Sequence, residues 1–105
     1  MTEAIDIQLK KGALELCVLA LLSQRESYAY EIASSLSERV GMGEGTIYPL
    51  MRRLQADGLV ETRLEESSSG PSRKYYRLSP LGHSTYAARK REWREFVDAV
   101  DKLLG

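Results

Sequence analysis

The chain has 105 residues, and its 15 lysine and arginine side chains balance 15 aspartates and glutamates, so the formal net charge is zero. This length fits one compact domain and is too short for two independent cores. The longest apolar run covers seven residues, 16–22, and no basic and apolar leader precedes a cleavage site. The sequence therefore predicts a soluble, cytoplasmic protein.

The sequence offers little for metal or covalent chemistry. Cys17 is the one cysteine and His83 the one histidine, which excludes an internal disulfide and a multi-cysteine zinc site. The apolar neighbours of Cys17 predict a buried, inert thiol. No serine, cysteine or carboxylate pair stands with a base at a spacing typical of catalysis. We therefore expect no metal, no cofactor and no enzymatic activity.

The first predicted helix, residues 11–23, is apolar on nearly every side. Its apolar side chains are Leu14, Leu16, Val18, Leu19, Leu21 and Leu22. Such a helix must be covered on two faces, and a chain this short has little with which to cover the second. We expect a partner subunit there, with Leu14, Val18 and Leu21 in the interface. Ser27 is a suitable N-cap for a second helix, roughly residues 28–39.

A third, amphipathic helix follows the turn at residues 40–43. Its apolar stripe is Ile47, Leu50, Met51 and Leu54, spaced i, i+3, i+4 and i+7. Its outward face is predicted to carry Tyr48, Arg52 and Gln55, flanked by Pro49 and Arg53. A start at Glu44 puts Pro49 at the sixth position, where the helix loses a hydrogen bond. A cap at Thr46 puts it in the first turn at no cost, and the sequence leaves both starts open.

A basic hairpin is predicted after the helix-ending Asp57-Gly58 pair. Residues 59–64 read as one strand, 65–72 as a turn and 74–78 as the returning strand, with Arg73 and Lys74 at the base of the tip. A helix with an arginine face followed by a basic hairpin is typical of a winged helix-turn-helix, in which the helix enters the major groove of DNA and the wing lies along the backbone or minor groove.

The zero net charge argues mildly against nucleic-acid binding, but the distribution of charge matters more than its total. Acidic residues fall on the first wing strand and its turn, whereas basic residues fall on the third helix and the return strand. We therefore expect a basic groove face, an acidic back and strong sensitivity of DNA binding to salt.

The last predicted helix begins with Ser79-Pro80, a strong start signal, and extends to Leu104. Its 25 residues would span about 37 Å, longer than so small a domain can bury alone. Coiled-coil spacing predicts a dimerisation seam of Tyr86, Trp93, Val97, Val100 and Leu104, broadened by Phe96 and Leu103. The predicted organisation is a winged helix-turn-helix at 1–78, with an N-terminal arm at 1–8, and a dimerisation helix at 79–105. The fold class is mainly α with a small β-hairpin, as a homodimer.

Four blocks of sequence in this order resemble the PadR family of bacterial winged-helix transcriptional regulators, in its short form with one C-terminal helix. They are KGALELCVLALL, YAYEIASSL, EGTIYPLMRRLQADGLVE and GPSRKYYRLSPLGH. The resemblance implies a homodimer that binds a near-palindromic operator in double-stranded DNA and represses transcription. It places the protein on the nucleoid in the cytoplasm.

The resemblance also implies residue roles. Carried over from the family, the DNA contacts fall on Tyr28, Thr46, Tyr48, Arg52, Arg53, Arg73 and Lys74. Residues 27–31 read Ser-Tyr-Ala-Tyr-Glu where many relatives place His-Gly-Tyr-Glu, so the second helix is expected to approach phosphate differently. A planar aromatic effector, a phenolic acid or a drug-like molecule, would bind at Trp93 and Phe96; the alternative for Trp93 is packing alone.

A second function fits the neutral charge. A winged helix that has kept the fold but lost sequence-specific DNA binding would act as a protein-interaction module. The arginines at 52, 53 and 73 and Lys74 favour the DNA-binding function, because an interaction module has no need of them.

Overall fold

The computed structural model describes residues 12–105. In this range the elements are α1 (Leu14–Gln24), β1 (Ser27–Tyr28), α2 (Ala29–Val40), α3 (Glu44–Ala56), β2 (Val60–Ser67), β3 (Gly70–Leu78) and α4 (Pro80–Leu104). The strands form one antiparallel sheet in the order β1-β3-β2. The predicted mainly helical fold with a winged hairpin and a long last helix is confirmed, whereas the predicted arm at 1–8 lies outside the described residues. Between residues 12 and 105 no helix combines the length and the apolar character needed to cross a membrane.

One hydrophobic core joins the first three helices to the base of the sheet. Its buried side chains are Val18, Leu19, Leu22, Ile32, Ala33, Leu36, Met42, Ile47, Leu50, Met51, Leu54, Leu59, Val60, Tyr76 and Leu78. The four-residue stripe predicted for α3 is buried as expected, because its i, i+3, i+4, i+7 spacing puts all four side chains on one face. The opposite face of α3 is thereby turned to solvent.

Helix α1 packs into the core of its own chain and also against α4. Val18 is 0% exposed within a single protomer, so the prediction that it lies in a dimer interface is wrong: its side chain has no surface left for a partner. Leu14 and Leu21 are half-buried beside the core and keep part of their surface. The second apolar face of α1 thus has a cover within its own chain, which the sequence did not reveal.

Ser27 is not the cap of α2. It lies in β1, paired with Tyr76, and is buried. Tyr28 takes the N-cap position, and its backbone N–H donates to Glu31 Oε1 at 3.0 Å. Glu31 therefore satisfies one of the free amides at the start of the helix. The two-residue strand β1 attaches the start of α2 to the wing.

Helix α3 begins at Glu44, so Pro49 occupies its sixth position, the first of the two starts that the sequence left open. The proline cannot donate to the carbonyl of Gly45, but both residues are exposed, so the lost hydrogen bond does not lie in the buried core. The helix ends as predicted at Asp57-Gly58, where Gly58 adopts a φ of 77° and the N–H of Leu59 donates to the carbonyl of Leu54 at 3.0 Å.

The wing is longer than predicted. Strands β2 and β3 extend through much of the expected turn and pair as far as Ser67 with Gly70, which leaves a two-residue tip. Between the pairs Glu65 with Arg73 and Ser67 with Gly70, the register shifts by one residue on the side of β3 that contains Pro71. A bulge tolerates proline because the bulged strand does not need every N–H for the ladder.

The start of α4 is fixed by Ser79, as predicted. Its hydroxyl accepts from the N–H of Gly82 at 2.9 Å and donates to the carbonyl of Gly58 at 2.6 Å. The N–H of Ser79 donates to the carbonyl of Leu59 at 3.0 Å. The start of α4 is therefore joined to the two residues that follow the C-cap of α3. Beyond residue 90 the helix leaves the core, and residues 91–96 are all exposed.

Candidate nucleic-acid interface

The outward face of α3 is centred on Pro49 and Arg52, both exposed and opposite the buried stripe. Among residues 12–105 no acidic side chain pairs with Arg52, so its guanidinium is available to a ligand. Tyr48 lies nearer the core than predicted: it is half-buried and packs against the apolar cluster. Arg52 is thus the basic group that α3 presents most freely.

Arg53 points to another part of the molecule. Its Nη2 lies 2.8 Å from Glu15 Oε2 on α1, and the other carboxylate oxygen of Glu15 accepts from Arg89 on α4. The side chain of Arg53 is still 60% exposed, so its remaining N–H groups face solvent. Thr46 is half-buried near this pair, in a cavity of about 370 Å³ that it lines with Glu15, Pro49 and Arg53.

The structure brings Tyr28 and Arg73 together. The guanidinium carbon of Arg73 lies 4.6 Å from the centre of the Tyr28 ring, a cation–π distance. Tyr28 also meets Tyr75 edge to face, with ring centres 5.5 Å apart. Two predicted contacts, one at the start of α2 and one on the wing, therefore share one surface.

Lys74 lies on the other face of the wing from Arg73, because successive residues of a strand point to opposite sides. Its Nζ is 5.6 Å from the ring centre of Tyr76, whose side chain enters the core. Leu64, paired with Lys74 across the hairpin, is strongly exposed. Arg73 and Lys74 therefore point to opposite faces of the wing and do not form a single basic pair.

The expected separation of charge, basic in front and acidic behind, is wrong for the hairpin. Directly paired residues share a face, and Glu61 stands opposite Arg77 and Glu65 opposite Arg73. Arg77 Nε lies 3.2 Å from Glu61 Oε1. Acidic and basic side chains therefore alternate on one surface of the wing, where their charges largely offset one another.

Arg63 is the most constrained of the wing arginines. It stacks over Tyr75 at 4.8 Å, donates to Glu65 Oε1 at 2.8 Å and donates through Nε to Glu26 Oε1 at 3.1 Å. The hydrogen bond from Arg63 lowers the pKa of Glu26, and the same contacts raise the pKa of Arg63. These contacts tie the wing to the loop before β1 and leave Arg63 little freedom to bind phosphate.

The predicted dimerisation residues of α4 differ in exposure. Tyr86 is half-buried against the core, and Val97 and Val100 are half-buried. Trp93 is 43% exposed, Phe96 63% and Leu104 77%. Trp93 lines a cavity of about 270 Å³ with Gly12, Glu15, Leu16, Arg89 and Glu92. Phe96 does not line that cavity.

The sequence matches the family model described as Transcriptional regulator PadR-like family over residues 18–88. The chain belongs to this family. A PadR-like transcriptional regulator from Bacillus cereus is 39% identical, with a TM-score of 0.83 over 92% of this chain and 96% of that one. A Streptococcus transcriptional regulator is 33% identical, with a TM-score of 0.84 over 95% of this chain and 100% of that one. A transcriptional regulator from Mycobacterium tuberculosis is 27% identical over 94 residues, 89% of this chain and 87% of the relative.

The resemblance to PadR regulators that four blocks of sequence indicated is confirmed. The protein is a DNA-binding transcriptional regulator rather than an enzyme.

Sequence reasoning missed the position of Glu15 between two arginines, although a signal for it exists. Glu15 is the only charged residue in α1, and a charged group in an otherwise apolar helix needs a partner. A search for basic residues on neighbouring elements would have brought Arg53 and Arg89 into consideration.

Proposed function

We propose that this PadR regulator is a homodimeric repressor that binds a near-palindromic operator through α3 and the wing and responds to a planar aromatic effector. Arg52 enters the major groove, while Tyr28, Arg73 and Lys74 bind backbone phosphates beside it. Thr46, Tyr48 and the free N–H groups of Arg53 complete the contacts along α3.

The observation that carries this proposal is the unpaired state of Arg52 on the exposed face of α3. Ion pairs hold Arg53, Arg63 and Arg77 within the described chain, but Arg52 has none. An arginine that makes no ion pair with residues 12–105 and stands on the helix that winged regulators use for base reading is suited to a guanine edge or a phosphate. The cation–π pair of Tyr28 and Arg73 supports the wing contribution.

The exposed apolar side chains of α4 support a dimer. Trp93, Phe96, Leu103 and Leu104 are large, apolar and exposed on one helix, and water-exposed apolar groups in such number favour association. The occupant that we propose is a second copy of this chain, because a near-palindromic operator requires two recognition helices about 34 Å apart.

The cavity beside Trp93 supports an effector of positive charge. Of its two carboxylates, Glu15 is already paired with Arg89 and Arg53, whereas Glu92 makes no ion pair with any residue from 12 to 105. A planar aromatic cation would stack on the indole ring and neutralise Glu92. A phenolic acid would meet that carboxylate with like charge, so we favour the cation.

The test is a titration of the protein against its own upstream DNA at two salt concentrations. Arg52→Ala is expected to weaken specific binding by about 1–3 kcal/mol if it reads a base, with little change on unrelated DNA. Arg39→Ala is the matched control, because it removes the same charge from an exposed position on α2. Equal effects of the two variants would contradict a recognition role for Arg52. If the protein binds no DNA specifically, the interaction-module function replaces the repressor.

A further inference from the structure

Helix α3 is connected to α4 at two separate places. At the first, Ser79 before α4 forms hydrogen bonds with the carbonyls of Gly58 and Leu59, which follow α3. The second is Glu15, whose two carboxylate oxygens accept from Arg53 on α3 and from Arg89 on α4. Arg89 stands ten residues beyond Ser79, so the two ties are about 15 Å apart along α4.

The second tie is built from side chains rather than from close packing. Cavities of about 370 Å³ and 270 Å³ lie on the two sides of Glu15, and Glu15 lines both. The helices α3 and α4 share little direct packing. Glu15 lies on α1, which packs against α4, so the carboxylate bridge adds a polar connection between α3 and α4 to that helix packing.

The Ser79 turn and the packing of α4 against α1 already limit the angle between α4 and α3. The bridge from Arg53 through Glu15 to Arg89 adds a polar connection at a second position along α4. Since α4 carries the exposed apolar side chains to which we assign the second copy, its angle to α3 would determine where the recognition helix of each protomer stands in a dimer.

We propose that Glu15 is a positioning residue for DNA recognition, which fixes the tilt of α4 against α3 and thereby the distance between the two recognition helices. The proposal rests on the dimeric DNA-binding function proposed above. Glu15 does not touch DNA; it acts through Arg53 and Arg89. Its loss changes which half-site spacing the dimer accepts, while the protomer stays folded, because ion pairs at this degree of exposure contribute little to the stability of a fold.

The first experiment measures half-site spacing. Wild-type protein and the variants Glu15→Gln and Arg89→Gln are titrated with the operator and with versions that have one base pair added or removed between half-sites. One base pair moves a half-site by about 3.4 Å and turns it by about 35°. We expect wild-type protein to prefer the native spacing by about tenfold or more, and both variants to prefer it by about threefold or less.

The controls separate positioning from charge. Glu38→Gln makes the same change of charge at an exposed site that has no ion pair among residues 12–105, and it should keep the wild-type preference. The double variant with Gln at 15 and 89 should behave like either single variant, because both break one bridge. The proposal would be overturned if Glu15→Gln kept the tenfold preference for the native spacing. It would also be overturned if the loss of preference in the double variant equalled the product of the two single losses.

The second experiment needs no DNA. Nitroxide labels on Gln55→Cys in α3 and Glu95→Cys in α4, with Cys17→Ser, report the distance between the helices within one chain when labelled protein is mixed with excess unlabelled protein, so that a dimer carries at most one labelled chain; both labelled sites are exposed. We expect Glu15→Gln and Arg89→Gln to shift and broaden that distance distribution, and Glu38→Gln to leave it unchanged. A distribution that is the same in all four proteins overturns the proposed positioning role even if DNA binding is observed. If the distribution changes but no protein binds DNA, the proposed repressor function is wrong, whereas the proposed connection of α3 to α4 through Glu15 is supported.

Discussion

The α carbon of Gly82 lies against the carbonyl of Leu59 so closely that a Cβ on residue 82 would stand 2.0 Å from that oxygen. No side chain can move aside to relieve this contact, because the obstructing atom is backbone. The same carbonyl accepts from the N–H of Ser79, so its position is already fixed. The approach of α4 to the end of α3 therefore depends on glycine at this position.

Gly82→Ala should destabilise the protein by at least about 1–3 kcal/mol, since the added methyl group must push α4 away from Leu59. Gly45→Ala is the matched control: Gly45 lies in α3 with nothing within 4 Å of the added atom. That change should be neutral or stabilise by about 0.5–1 kcal/mol through helix propensity. Urea unfolding measures both. Equal destabilisation by the two substitutions would show that the close approach at Leu59 is unimportant.

The stacking of Arg73 on Tyr28 should appear as an interaction energy between the two side chains. In a double-mutant cycle of Tyr28→Leu and Arg73→Gln, we expect a coupling of about 0.5–1 kcal/mol in the free energy of unfolding. Tyr28→Phe keeps the ring face and should preserve the coupling. Strictly additive effects of the two substitutions on the free energy of unfolding would mean that Arg73 and Tyr28 do not interact in solution.

The ion pair of Glu26 with Arg63 predicts a specific dependence of wing stability on pH. The hydrogen bond from Arg63 lowers the pKa of Glu26 below its ordinary value of 4.5. The pair therefore stabilises the fold fully above the ordinary value, and this contribution is lost as the pH falls through the lowered pKa. An NMR titration of the Glu26 carboxyl carbon measures that pKa directly.

Two arginine variants test the cause of this shift. Arg63→Gln should return the pKa of Glu26 towards the ordinary value, because it removes the hydrogen bond. Arg77→Gln removes only a weaker charge interaction and should raise it less. A larger effect from Arg77→Gln would assign the shift to long-range charge instead.

The proposed effector cavity can be tested by fluorescence, because Trp93 is the only tryptophan in the chain. A planar aromatic cation should quench it, and Glu92→Gln should weaken binding by about 0.5–1.5 kcal/mol. Glu95→Gln is the control, since Glu95 lies outside the cavity. If planar cations fail to quench while phenolic acids succeed, the charge assigned to the effector is wrong.

Local patterns predicted the elements of this fold well. The buried stripe of α3 follows from spacing alone, and the start of α4 follows from the Ser79-Pro80 pair, because caps and periodicity act within a few residues. Strand β1 was missed because two residues have no periodicity, and its partner Tyr76 lies far along the chain. The two-residue strand exists only through that tertiary pairing.

The candidate site was predicted by residue type more reliably than by orientation. Arg52 and Arg53 are neighbours in sequence and equivalent in composition, yet one faces solvent and the other meets Glu15. Successive helical residues differ by about 100° in direction, so the position of α1 decides which of them is paired. The position of α1 depends on tertiary packing, and the local sequence of α3 does not predict it.

The hydroxyl of Ser79 has a further consequence for how the protein unfolds. It caps the first turn of α4 and also donates to the carbonyl of Gly58, just beyond the end of α3, so one side chain joins the two helix termini. A chain shortened to residue 78 would remove the partner of the Gly58 carbonyl and uncover Leu59. The winged domain and the long helix share these contacts at their junction, and we therefore expect them to unfold as a single cooperative unit.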